Sequence, residues 1–233
     1  MRRFLFSLSL TVSGLLCAED RGLFLHYDFT QPAIRQGGIC RQLELPPDMT
    51  ISCPEYSLIL TGNFSQPELS VPESTFFSLK NGGTLYALVR FDQNGMESGQ
   101  PDAHDMILFK QENLLFGRDC GELYFNMQTS GRWCWAVRAP DIPTERWTAL
   151  AATVTKNGTK NYTVRLYIDG RKAAEKTFLQ EMDGPNGNPV AIGRGWGGPW
   201  CFCGLLGKLM IFDYALSDDE VAGLCREEPY LKK

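Results

Sequence analysis

From residue 23 onward, apolar and polar positions alternate with period two. Leu23, Leu25, Tyr27 and Phe29 alternate with Phe24, His26 and Asp28, and Leu85, Ala87, Val89 and Phe91 alternate with Tyr86, Leu88 and Arg90. Successive side chains of a strand point to opposite faces, so each run predicts a strand with one apolar face. The same reading predicts strands over 56–61, 75–79, 106–110, 113–117, 122–127, 133–138, 147–155, 162–169, 171–178, 189–193 and 205–213. Many short strands divided by turn residues predict an all-β, two-sheet antiparallel sandwich. The clearest hairpin runs from Tyr162 to Phe178. Asp169-Gly170 supplies the two positive-φ positions of a type I′ turn there, which makes Asp169 a turn residue and not a catalytic acid. One short C-terminal helix is predicted: Ser217 and Glu220 form a capping box, and Val221, Leu224 and Cys225 fall on its inner face.

The N-terminus follows a different pattern. Arg2 and Arg3 precede an apolar run from Phe4 to Leu16 that ends at Cys17-Ala18, the layout of a secretory signal peptide. Residues 1–18 are therefore expected to be cleaved off. Residues 19–233, which show no linker, repeat or composition shift, should form one domain that is secreted, periplasmic or held at the cell surface. No later run approaches the roughly 20 apolar residues of a membrane-spanning helix. Losing residues 1–18 removes two arginines and no acid, moving the formal charge from −4 to −6. A mildly acidic chain without a basic run has no electrostatic footprint for nucleic acid or an anionic membrane. Its expected partners are glycans, polysaccharides or a cell-surface protein.

Eight cysteines agree with export. No C-x-x-C occurs, and His26 and His104 are the only histidines, so the spacing fits no zinc site. With Cys17 in the leader, Cys40, Cys53, Cys120, Cys134, Cys201, Cys203 and Cys225 remain, an odd number. Cys120 and Cys134 flank a segment that reads as a hairpin and are expected to be bonded. Cys225 is expected to pair with Cys201 or Cys203, and Cys40 and Cys53 bracket a proline-containing loop.

The order of several segments is similar to a known family. These are Leu25-His26-Tyr27-Asp28-Phe29; Leu58 to Asn63 followed by Leu69-Ser70-Val71-Pro72; and Thr84 to Phe91. They continue with Arg146-Trp147-Thr148-Ala149-Leu150-Ala151-Ala152 together with Leu166-Tyr167-Ile168-Asp169-Gly170. Last comes the strand Gly204 to Asp213 leading into Ala215-Leu216-Ser217-Asp218-Asp219-Glu220-Val221. The chain resembles the laminin-G-like jelly-roll domains of the concanavalin A-like lectin/glucanase superfamily. That resemblance implies two antiparallel sheets packed face to face, a ligand on the concave sheet, and a bacterial host. In such a host the glycosylation-like patterns at Asn63, Asn157 and Asn161 mean nothing. It also allows calcium held by loop oxygens, for which Asp28, Asp92, Asp102 and Asp105 are the candidates, although no D-x-D-x-D-G loop occurs. No other cofactor is implied.

Fold alone does not give function. A glycosidase of this superfamily should show an E-x-D motif with a further acid, because alternate strand residues share a face and bring two carboxylates together. The only E-x-D, Glu181-Met182-Asp183, runs into a loop without a second glutamate and reads as solvated. No G-x-S-x-G marks a serine hydrolase. His104, between Asp102 and Asp105, reads as a solvated turn. The aromatic residues are more informative. Gly193 to Trp200 is a glycine-rich loop carrying Trp196 and Trp200, with Arg194 as a polar neighbour, and sugars stack on such rings. The alternative is that Trp196 or Trp200 folds back to cap one open end of the sandwich. Trp133 and Trp135, flanking Cys134, should share one face, either packing in the core or joining this site, and Trp147 should be core. The expected function is a non-catalytic carbohydrate-binding module. Its alternatives are a structural or adhesion module that binds protein, or a glycoside hydrolase with an atypical acid pair.

Overall fold

The computed structural model describes the chain from Leu23 to Lys232, apart from residues 30–32, 37–38, 43–44, 46–48, 50–56, 63–67, 72–73, 75–76, 93–103, 141 and 198–199. The expected signal peptide, Cys53, Asn63 and Asp102 lie outside the described residues, as do the side chains of His26 and Cys40. The strands among the described residues are β1 Leu23–Asp28, β2 Ala33–Gln36, β3 Ile39–Gln42, β4 Leu58–Thr61, β5 Leu69–Val71, β6 Gly83–Phe91, β7 His104–Lys110, β8 Leu114–Asp119, β9 Glu122–Thr129, β10 Arg132–Trp133, β11 Val137–Ala139, β12 Trp147–Gly158, β13 Asn161–Ile168, β14 Arg171–Phe178, β15 Val190–Ile192 and β16 Cys203–Phe212. The helix α1 spans Asp218–Glu227.

The strands form two antiparallel sheets. Sheet I runs β14-β13-β12-β6-β16-β1-β2-β3 with β4 also paired to β16, and sheet II runs β10-β9-β8-β7-β15-β5 with β11 paired to β9. β6 sits centrally in sheet I, with Ala87 opposite Leu150 of β12 on one side and Leu209 of β16 on the other. The alternation in its sequence sorts its side chains. Leu85, Ala87, Val89 and Phe91 enter the core between the sheets, whereas Tyr86 and Leu88 point outward and are covered with Leu216, Val221 and Cys225. Each large side chain so buried is worth roughly 1.5–3 kcal/mol.

Local signals hold at both ends of the domain. Asp169 and Gly170 have φ of 49° and 76°, as a type I′ turn requires. Ser217 and Glu220 make the reciprocal capping box of α1. Trp147 is not in the central core: it lies half-buried against Tyr230, rings stacked at 4.9 Å, in the layer between sheet I and the C-terminus.

Three strand expectations change. The segment predicted over 75–79 is not a strand from Phe77 onward, and a 3₁₀ turn occupies Leu79–Asn81. The Phe77 amide donates back to Ser74 O at 2.9 Å, closing a turn, and the buried Lys110 ammonium ties it down by donating to Ser74 O and Phe77 O at 3.0 and 2.9 Å. The predicted strand 133–138 breaks between β10 and β11. β2 and β3 were missed because their short runs carry Arg35, Gln36, Arg41 and Gln42.

The expected Cys120–Cys134 bond and the bond from Cys225 to Cys201 or Cys203 are not formed: Cys134, Cys201, Cys203 and Cys225 are free thiols. Cys120 occupies the β8–β9 turn, whereas the Cys134 amide bonds Met127 O far along β9. Five residues of strand, about 17 Å, separate these points, and a disulfide needs Cα atoms within about 7 Å. Cys225 lies beneath α1 against Gly170, outside sheet I. Cys201 instead bridges Met106 of sheet II, and Cys203 abuts Gly62.

Candidate functional site

The two outer faces of the sandwich differ. That of sheet I is occupied by α1 and the C-terminal Tyr230 and Leu231. That of sheet II carries Met106, Phe109 and Leu115 with Tyr124, Trp133 and Trp200 packed against them. Antiparallel register produces this collection. Phe109 is opposite Leu115, His104 opposite Asp119, Asp119 opposite Glu122, and Gly117 opposite Tyr124, and directly opposed residues share a face.

The loop from Gly193 to Phe202 adds two rings. Its root is closed where Gly193 N donates to Ile107 O and Phe202 N to Gly193 O, at 2.9 and 3.1 Å, so the loop rises from β7. A Cβ on Gly195 would stand 2.5 Å from Trp200 Cβ, which makes glycine necessary for the loop to fold this tightly. Trp200 then stacks on His104 with centroids 3.6 Å apart. Trp196 stands edge-on to Phe109, Trp133 and Trp200 at 4.9, 5.4 and 4.8 Å, yet keeps 42% of its surface exposed. Three aromatic neighbours hold the ring while 42% of its surface stays open, an arrangement suited to stacking a flat ligand.

A polar rim borders these rings. His104 Nδ1 is 2.5 Å from Asp119 Oδ1. Asp119 also pairs with Arg138, whose other nitrogen reaches Glu122 at 3.1 Å. The Arg138 guanidinium lies over the Tyr124 ring at 4.3 Å. Gln128, with its amide oxygen turned toward the indole, accepts from Trp133 Nε1 at 3.0 Å.

Of the residues singled out from sequence, Trp133, Trp196 and Trp200 meet in this cluster, and Arg194 is half-buried in the same loop. Trp135 does not join them. It is wholly buried, stacked on Phe178 at 4.6 Å and edge-on to Tyr162, because the chain leaves strand geometry after Trp133 and the period-two rule no longer applies. His104 is no solvated turn but the first residue of β7. Phe109, Tyr124, Asp119, Glu122 and Arg138 were missed, since register across four strands brings them together and no local motif marks them.

The two loop acids serve the fold. Glu181 pairs with Lys80 at 2.8 Å, and Asp183 accepts from the amides of Ser130 and Gly131 in the β9–β10 turn. Asp105, a calcium candidate, is committed to the buried Arg118 at 2.7 Å. Among the described residues, no group of three or more His, Cys, Asp or Glu side chains is placed to hold a metal ion.

Residues 63–222 match the Laminin_G_3 family. The chain belongs to the concanavalin A-like lectin/glucanases superfamily. Its jelly-roll topology recurs in domain 4 of AbnA, an extracellular arabinanase of Geobacillus stearothermophilus solved in complex with arabinotriose. That match has 20% identity and a TM-score of 0.59, covering 87% of this chain and 98% of that one. The binding domain of Paraclostridial Mosquitocidal Protein 1 is similar at 17% identity and a TM-score of 0.62, covering 88% of this chain and 52% of that one. The CBM40 of the Ruminococcus gnavus IT-sialidase is similar at 14% identity and a TM-score of 0.55, covering 72% and 96%. No curated protein sequence matches the chain. Within this superfamily fold, the outer face of sheet II is the one whose aromatic side chains stay open. Among the described residues, no helix is long and apolar enough to cross a membrane.

Proposed function

We propose that the chain is an exported, non-catalytic glycan-binding module that stacks a sugar ring on Trp196. The observation that carries this reading is the platform itself: a large apolar ring, 42% exposed, held edge-on by three other aromatic side chains beside charged groups. The C–H face of a pyranose or furanose would lie on the indole, and Arg138, Glu122 and His104 would bond its hydroxyls. The arabinotriose complex of the similar arabinanase domain agrees with this use of the fold. Export rests on the N-terminal apolar run alone, since Cys134, Cys201, Cys203 and Cys225 are free thiols.

A hydrolase reading would draw on Asp119 and Glu122, two carboxylates beside the rings. Arg138 bonds both of them, and His104 Nδ1 lies 2.5 Å from the other oxygen of Asp119, so both carboxylates are held as anions by cations and neither is poised to protonate a glycosidic oxygen. A glycan array probed with the mature chain tests the proposal. Retention of a defined glycan class, lost on Trp196→Ala, is the expected result. An empty array, with capture of a surface protein instead, would favour an adhesion module, and release of sugar from any retained polysaccharide would overturn the non-catalytic reading.

A further inference from the structure

A cleft of about 440 Å³ opens on the side of the sandwich remote from Trp196, between the β13–β14 turn and the last turns of α1. Three arginines converge on it from separate elements: Arg146 just before β12, Arg171 at the start of β14 and Arg226 in α1. Asp169 is the only carboxylate in the lining among the described residues. The cleft is therefore doubly positive in a chain whose formal charge is −4.

The excess is not neutralised locally. Asp169 is already committed, with one oxygen accepting from Arg146 at 2.6 Å and the other from the Ala149 amide at 3.0 Å. Lys172, next along β14, shows that acids are within reach of this region, for it pairs with Glu175 and faces Asp218. Arg171 and Arg226 make no ion pair among the described residues. The negative end of the α1 dipole accounts for one arginine at the last helical turn, not for three. Clustered like charges repel, and an anion between them would relieve that repulsion. Ala222 and Leu231 add an apolar wall, and the volume falls within the range of small-ligand sites.

We propose that this cleft is a second ligand site, specific for an acidic sugar. A carboxylate or sulfate ester would accept paired hydrogen bonds from the free guanidinium forks of Arg171 and Arg226, while the C–H face of the ring rests on Ala222 and Leu231. The site does not depend on Trp196.

The test is calorimetric titration of the full mature chain with glucuronate, glucose 6-sulfate, glucose and inorganic sulfate. Both acidic sugars should bind and glucose should not, with inorganic sulfate weaker by roughly tenfold because it lacks the ring. The double variant R171A/R226A should weaken the acidic sugars by more than roughly tenfold with an unchanged melting temperature. Trp196→Ala should leave them unaffected. Absence of acidic-sugar binding, binding that survives in R171A/R226A, equal affinity for inorganic sulfate, or loss in Trp196→Ala would each overturn the second site. Neutral-glycan binding lost in Trp196→Ala alone reports on the first site and leaves this result separate.

Discussion

Replacing Trp196 by alanine separates a binding ring from a packing ring. Aromatic contacts of this kind are worth about 0.5–1.5 kcal/mol, so the dissociation constant for the recognised glycan should rise roughly 2- to 13-fold. The effect on stability should be modest. Truncating a fully buried tryptophan costs about 3–5 kcal/mol, but Trp196 already has 42% of its surface in water and meets its neighbours edge-on. A cost of about 1–2 kcal/mol, or a fall in melting temperature of about 2–8 °C for a domain of this size, is expected. Trp135→Ala is the contrasting variant. Its ring is wholly enclosed and stacked on Phe178, so melting should fall by about 6–20 °C, while affinity per folded molecule stays the same. Isothermal titration with the glycan chosen from the array, beside thermal denaturation, measures both quantities. The reasoning fails if Trp196→Ala keeps wild-type affinity, or if its melting temperature falls as far as that of Trp135→Ala.

Arg118 and Asp105 form a buried pair at 2.7 Å, with Asp105 also accepting from the Cys203 amide and Arg118 lying over the Phe91 ring. Arg118→Met should therefore cost about 3–5 kcal/mol in chemical denaturation by stranding the carboxylate, and a loss under 1 kcal/mol would contradict this account. Stability should also decline in alkali. Burial pushes the Cys225 thiol up to about 12 from 9.0 and the Tyr27 and Tyr167 hydroxyls to about 12 from 10.0, so from about pH 9 the unfolded chain sheds protons that the native state retains. Lys110, pulled down to about 8 by burial, acts in the opposite sense between pH 8 and its unfolded value of 10.5. Urea midpoints across this range should accordingly fall less steeply in Cys225→Ala and more steeply in Lys110→Met. Finally, Cys120 and Cys134 are exposed, whereas Cys201 and Cys225 are buried. Alkylation without reductant, followed by peptide mapping, should modify Cys134 in the native protein and Cys201 and Cys225 only after unfolding. Protection of Cys120 and Cys134 in the unfolded, unreduced chain would mean they are bonded after all.

What the sequence determined by itself is what depends on neighbours along the chain. The alternation in Leu85 to Phe91 set which face of β6 is buried, because the strand period needs no tertiary information. Asp169-Gly170 fixed a turn through backbone sterics, and Ser217 with Glu220 fixed a helix start through two local hydrogen bonds. The glycine-rich loop pointed to Trp196 and Trp200 for the same reason. What only the tertiary structure decided is everything set by register between distant strands. Trp133 and Trp135 are two residues apart, yet a break after β10 sends one to the outer aromatic cluster and the other to the core. Cys120 and Cys134 flank one hairpin-like stretch, yet an extended β9 holds them at its opposite ends. His104, Phe109, Asp119, Glu122, Tyr124 and Arg138 carry no shared motif and meet only because β7, β8, β9 and β11 pair in one register. A one-residue slip in any of these ladders would turn those side chains into the core, so the site exists only once the sheet has formed.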